Sequence, residues 1–197
     1  MKYIKEPEKQ IPVLSEYDTF VAGGGIAGIS AALDAARNGA KALLAEREFL
    51  LGGLATLGLV TIYLPLCDGL GRQVCFGIAE ELLRLSVKHG YEGKYCPCWL
   101  ENGTKDERRK KRFEVQFNPY VFGIEAEQLL RANGVDLLYG TSVCGTITEN
   151  SRIAYVILEN KSGRNAVRVK NLIDATGDAD IAMQSGEATV LFKQGNV

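Results

Sequence analysis

The chain has 197 residues, of which 46% are apolar and 24% charged, and a net charge of -1. That balance excludes wholesale disorder, and near-neutrality argues against a general binder of nucleic acid. No apolar run reaches the length of a membrane span, and the polar start MKYIKEPEKQ lacks the apolar middle of a signal peptide, so a cytoplasmic protein with no membrane or nucleic-acid partner is expected.

Residues 1–16 read as an irregular lead-in. YDTFVAG (17–23) follows as a short apolar strand, residues 26–38 as an Ala-rich helix stopped by Gly39, and KALLAE (41–46) as a second strand. Strand, tight turn, helix and strand within about 30 residues form a βαβ unit with a right-handed crossover. Residues 47–73 are Gly-rich and apolar and predict a long loop with one short strand near 59–64. Residues 74–89 carry apolar positions at helical spacing, with Gly90 as the stop. Residues 91–112 look like an insertion: Cys96-Pro97-Cys98-Trp99, a turn at 101–104, then KDERRKKR. The basic run is read as a solvated surface, with an anionic partner as the alternative.

FEVQF (113–117) alternates like a strand, and Asn118-Pro119 opens a helix to about Asn133. VDLLYG (135–140) reads as a buried strand. TSVCGTITE, RIAYVILEN and AVRVK then predict an antiparallel β-meander over 141–170, turning at Asn150-Ser151 and at 161–164. NLIDATG (171–177) reads as a separate buried strand beside the first one, with a short helix at 178–185. The expected fold class is therefore α/β: a Rossmann-like parallel sheet with a G-x-G-x-x-G βαβ unit and an inserted antiparallel β-meander.

The 22 glycines exceed the roughly 14 that average usage would give, and they cluster at 23–28, 52–58 and 69–77. Gly23-Gly24-Gly25-Ile26-Ala27-Gly28 satisfies G-x-G-x-x-G between a strand and a helix. Gly23 permits the tight turn, Gly25 lets backbone approach a pyrophosphate, and Gly28 allows the helix close to the sheet. Glu46, 18 residues after Gly28, ends the second strand, where a carboxylate can accept both ribose hydroxyls and would repel a 2′-phosphate.

Other chemistry is sparse. His89 ends a helix and suits a cation at the helix C-terminus. Asp68 and Arg72 of the DGLGR loop are placed either to meet a substrate or to form a surface turn. Asp178 could cap the last helix. The five cysteines form no disulfide framework, the spacing of Cys67 and Cys75 does not match a redox pair on a helix, and no metal site is expected.

DTFVAGGGIAGISAALDAARNGAKALLAER (18–47), LGGLATLG (51–58), the DGLGRQV–GIAEELL stretch (68–83), FNPYVF (117–122) and IDATGDAD (173–180) together resemble the N-terminal part of the FAD-dependent oxidoreductases of the glutathione-reductase-like superfamily. More narrowly, they are similar to the bacterial group related to the flavin-carrying component of heterodisulfide reductase. The resemblance implies FAD as cofactor, held at its pyrophosphate by Gly23, Gly25 and Gly28 and at its adenosine ribose by Glu46. Arg47 would lie along the adenine, with Gly52, Gly53, Ala55 and Thr56 near the pyrophosphate and flavin end. Val143 would present its backbone to the adenine, and Ala175, Thr176 and Gly177 would close over the dinucleotide. It implies hydride transfer from a small-molecule substrate to flavin, with no catalytic base identified.

The superfamily normally adds a substrate domain and a late Gly-Asp segment, which GEATVLFKQGNV does not supply. Residues 1–197 are thus expected to be the FAD-binding portion alone, the C-terminal substrate domain being absent or supplied separately, with a homo-oligomer as a further option. A non-catalytic nucleotide-binding fragment and an NAD-binding dehydrogenase domain are the alternatives. No four-cysteine run supports an iron–sulfur cluster.

Overall fold

A computed structural model describes residues 2–63, 67–89, 91–92, 97–111 and 113–190. The expectations placed on Leu64, Gly90, Cys96 and residues 191–197 lie outside these.

The βαβ unit is present: β1 (Val13–Ala22), α1 (Ile26–Arg37) and β2 (Ala42–Ala45). β1 begins within the stretch expected to be an irregular lead-in, because Val13 and Ser15 find partners at Ala166 and Val167 far along the chain. A 3-10 turn at Gly53–Ala55 and β3 (Ile62–Tyr63) follow, then α2 (Ile78–Lys88), β4 (Tyr91–Glu92), α3 (Pro97–Leu100) and α4 (Lys105–Lys110). Next come β5 (Val115–Phe117), α5 (Pro119–Ala132), β6 (Asp136–Leu138), β7 (Ser142–Glu149), β8 (Arg152–Asn160), β9 (Gly163–Asp174) and α6 (Asp180–Gln184).

The main sheet runs β6-β2-β1-β9-β8-β7. β6, β2, β1 and β9 are parallel, whereas β8 and β7 are antiparallel to their neighbours. The meander and the last parallel strand are therefore not separate. AVRVK and the NLID of NLIDATG lie on one 12-residue strand, β9, whose first half pairs with β8 and whose residues from Ala166 to Asp174 run beside β1. The sequence expectation of two strands fails because Lys170 and Asn171, which read as a break, are exposed residues on a continuous strand.

Three apolar clusters hold this together. One face of the sheet packs α1 and α5 through Val21, Ile29, Leu33, Leu44, Phe122, Ala126 and Leu130. The other face packs β8, β9 and α6 through Phe20, Leu43, Val156, Leu158, Val167 and Ile181. β2, covered on both sides, is buried at all four positions, as a central parallel strand requires. β6, expected as a buried run, is only half-buried, since it is the sheet edge with a partner on one side.

The third cluster is a satellite: Leu83, Val87, Trp99, Phe113 and Val115. It takes in Trp99 of the 91–112 insertion, whereas the described residues of the basic run are exposed apart from the half-buried Arg108. Thr104 and Glu107 close a reciprocal capping box over α4, and the Arg108 guanidinium lies 5.4 Å from the centre of the Trp99 ring while donating to the Cys98 carbonyl. Part of the basic run thus covers an aromatic side chain. α2 starts at Ile78, four residues later than the periodicity predicts, because Gly77 precedes it with φ +67°.

Candidate functional site

The carboxyl ends of β1, β2 and β9 converge on the glycine turn. Close approach dictates its composition. A Cβ on Gly28 would stand 1.8 Å from the Gly23 carbonyl oxygen, and one on Gly23 would stand 2.5 Å from the Ala175 carbonyl oxygen. α1 therefore presses on the turn, and the turn presses on the end of β9. Gly25 differs: nothing lies within 4 Å of where its Cβ would be. It is the N-cap of α1, and neither a side-chain cap nor an acidic residue of the first turn serves the helix start. The mouth of a 12-residue helix is left with free amide donors and its positive dipole end, which suits an anion.

Glu46 stands beside that mouth. It is 8% exposed, and its carboxylate accepts from Gly24 N at 2.6 Å through one oxygen and from Glu48 N at 2.9 Å through the other. These two amides use about half of its roughly four lone-pair sites and fix its orientation, so the remainder can accept from hydroxyl groups. Gly24, a position the motif leaves open to any residue, matters for this reason. A Cβ there would meet Leu51 Cδ2 at 2.6 Å and Glu46 Oε2 at 3.0 Å. The run of three successive glycines is the sequence signal for it.

The loop after β2 is laced to the turn. Gly52 N donates to the Gly24 carbonyl at 2.8 Å, Gly25 and Gly52 form a parallel bridge, and a Cβ on Gly53 would lie 3.2 Å from Gly25 Cα. Gly52 and Gly53 thus stand against Gly25. Thr56 lies in the same loop but turns inward. It is 1% exposed, and its hydroxyl donates to the Leu51 carbonyl at 2.8 Å, so its side chain serves the fold of the loop. Ala55 sits in the 3-10 turn. Arg47 is exposed, 3.7 Å from Glu48.

On the far side of Glu46, Thr141 N donates to the Glu46 carbonyl and Glu46 N to the Leu138 carbonyl, which brings the start of β7 and Val143 into the same region. Val143 pairs with Leu158 next to a register shift and packs on the second cluster. Tyr139, which no motif marks, is held there too. Burial, a hydrogen bond to Glu127 and the nearby Glu46 charge push its phenol well above the ordinary range.

Ala175 N donates to the Ala22 carbonyl at 2.9 Å, which carries Ala175, Thr176 and Gly177 past Gly23. Asp178 does not cap α6. The N-cap is Ala179, with no side-chain bond, and the cap comes from Asp174 on β9, whose second oxygen accepts from Ile181 N and Ala182 N at 3.0 Å each. Asp at a strand end with Thr two positions on is the local signal.

The remaining candidates stand apart. Asp68 accepts from Leu70 N and Arg72 N, and these backbone bonds, the Leu70 one foremost, hold its carboxyl below the ordinary range. The DGLGR segment is a turn that Asp68 closes on itself, exposed at Gly69 and Leu70 but buried at Gly71, where a Cβ would stand 2.4 Å from the Lys105 carbonyl oxygen of α4. His89 is the C-cap of α2, 3.9 Å from Glu125. Cys67, Cys75, Cys98 and Cys144 are free thiols.

No functionally curated protein sequence matches the chain. Solved structures do. One is a geranylgeranyl bacteriochlorophyll reductase-like protein from Thermoplasma acidophilum, at 20% identity over 91% of this chain and 44% of that one, with a TM-score of 0.61. Another is THI4 of Thermovibrio ammonificans, at 16% identity over 86% and 61%, with a TM-score of 0.58. A third is p-nitrophenol 4-monooxygenase from Pseudomonas putida DLL-E4, at 15% identity over 87% and 43%, with a TM-score of 0.58. At such identities the likeness establishes the fold, and the chain spans about half the length of these proteins. Residues 18–196 match the family described as FAD dependent oxidoreductase. The glycine turn, the parallel sheet with its meander and this match over nearly the whole chain make it a member of that FAD-binding family.

Proposed function

We propose that the chain is the FAD-binding portion of an oxidoreductase that takes a hydride from a small-molecule substrate. The observation that carries the reading is the uncapped, acid-free start of α1 with the Glu46 carboxylate fixed on the neighbouring Gly24 amide. The residues fit the cofactor. The amides at the helix start, reached past Gly23, Gly25 and Gly28, would hold the pyrophosphate, and the free lone pairs of Glu46 would accept the ribose hydroxyls. Gly52, Gly53 and Ala55 would bring backbone close to the same stretch, Val143 and Arg47 would border the adenine, and Ala175, Thr176 and Gly177 would close the far side.

FAD supplies the two-electron acceptor when bound; the chain supplies position, charge and exclusion of water. No side chain among the described residues of the site stands out as a general base. The apolar residues Phe49, Leu54, Leu57, Leu59 and Val60, all exposed in the loop after β2, suit a surface covered by substrate or by a further domain. The motif resemblance to the heterodisulfide reductase group supports the narrower placement, and a second copy of the chain or a separate substrate domain is part of the proposal.

Purified protein stripped of cofactor is titrated with FAD and, separately, with NADH. Recovery of flavin absorption and tighter binding of FAD than of NADH are expected. Protein that takes up no FAD, or prefers NADH, overturns the reading.

A further inference from the structure

We propose that Asp174 is a positioning residue for FAD: from the end of β9 its carboxylate holds the Ala175–Gly177 turn in the shape that meets the dinucleotide. This rests on the reading of that turn as a cofactor contact.

Asp174 pairs with Ala22, the residue that feeds the glycine turn. One of its oxygens accepts from Thr176 N at 3.1 Å and Thr176 Oγ1 at 2.7 Å, and the other accepts from Ile181 N and Ala182 N. Thr176 Oγ1 in turn accepts from Asp180 N at 3.1 Å. The opening amides of α6 are therefore satisfied from seven and eight residues back, across the whole turn, rather than by the adjacent residue. A local N-cap would secure the helix alone. A carboxylate that binds both the start of the turn and the helix after it fixes the backbone between them.

That backbone is confined on one side and open on the other. The Ala175 carbonyl lies against Gly23, where no side chain would fit, whereas nothing lies within 4 Å of a Cβ built on Gly177. The open side is where a bound molecule could lie. Burial disfavours the ionised carboxyl, but the bonds from Thr176, Ala182 and Ile181 outweigh it and hold Asp174 below the ordinary range, so the clamp is an anion at neutral pH.

The test compares Asp174→Asn with Ser185→Ala. The first keeps an acceptor for Thr176 but turns an amide donor toward Ile181 N and Ala182 N. The second cuts the link of α6 to Thr146, 3.1 Å away, and the Ser185 hydroxyl bond to the Ile181 carbonyl, while leaving the amide bonds to Asp174 in place. At similar losses of Tm, D174N is expected to raise the Kd for FAD about tenfold and to alter the visible spectrum of the bound flavin, while S185A leaves both near wild type. Equal FAD affinity in D174N and wild type overturns the proposal, as does a Kd that follows Tm alike in both variants. Should D174N not fold, Asp174→Glu keeps the charge but moves the carboxylate by one methylene from the amides of Thr176, Ile181 and Ala182 without altering any residue of the turn itself. An FAD affinity raised or unchanged in that variant overturns the proposal, and a weakened one supports it. Wild-type protein that fails to bind FAD at all overturns the functional reading instead.

Discussion

The glycine turn and the 97–111 segment are built on opposite principles. In the turn, residues are chosen for what they leave out: Gly28, Gly23 and Gly24 each stand where one added methyl would meet backbone or a buried carboxylate. In the segment, residues are chosen for what they fill: Trp99 meets Phe113 edge-on at 6.1 Å between centroids and donates its indole N–H to the Lys111 carbonyl. The first region is tied to the core of the sheet, the second to a cluster of its own. Damage to the first should therefore reach the cofactor, and damage to the second should stay in the satellite.

The sharpest way to break that contrast is Gly28→Val. A side chain 1.8 Å from the Gly23 oxygen forces α1 off the sheet, with an expected cost of about 3 kcal/mol or more and loss of FAD binding, read by Tm and flavin absorption. A stable, flavin-binding variant would mean that the helix contact is not rigid. Trp99→Ala should also cost about 3 kcal/mol, since the indole is 4% exposed, yet leave the FAD Kd unchanged. A large change in Kd would erase the division between the two regions.

Glu46→Gln is smaller. An amide cannot accept at both ends, so either Gly24 N or Glu48 N, each now bonded to a carboxylate oxygen, meets a donor. The expected cost is about 2 kcal/mol in stability, with FAD affinity weakened. Unaltered affinity would remove Glu46 from the site.

The smallest effect is a matter of pH. The folded pKa of Asp174 lies below its ordinary 3.8, so the clamp stabilises the fold fully above that value and loses its effect as the pH falls through the lower folded one. Acid unfolding of wild type and D174N should therefore differ most above pH 3.8 and converge as the pH falls below it. Parallel curves throughout would show that the carboxylate is not bonded as described.

Much of this is legible along the chain. Period and punctuation place β1, α1, β2 and the Asn118-capped α5, and the spacing of Glu46 from the turn places an acid at the mouth. Asn150 and Ser151 both take positive φ in the β7–β8 turn, as a tight hairpin there requires. Other features escape because their cause is distant. The extension of β1 to Val13 depends on Ala166, the fusion of two apparent strands into β9 depends on β1 lying alongside, and the inward turn of Thr56 depends on Leu51. α3 and α4 are short helices that gain their stability from Trp99 and its neighbours, so periodicity has too few residues to register them.

The sequence by itself determined where side chains must be absent and where the chain must turn, because sterics at glycine and the spacing of apolar residues act over a few positions. The tertiary structure decided which oxygens face which amides: Glu46 toward Gly24 and Glu48, and Asp174 toward Thr176 and α6. A carboxylate has no preferred partner until folding brings donors to within about 3 Å of it, and the Gly24 amide and the opening amides of α6 reach theirs only once β1, β2, β9 and α6 have packed.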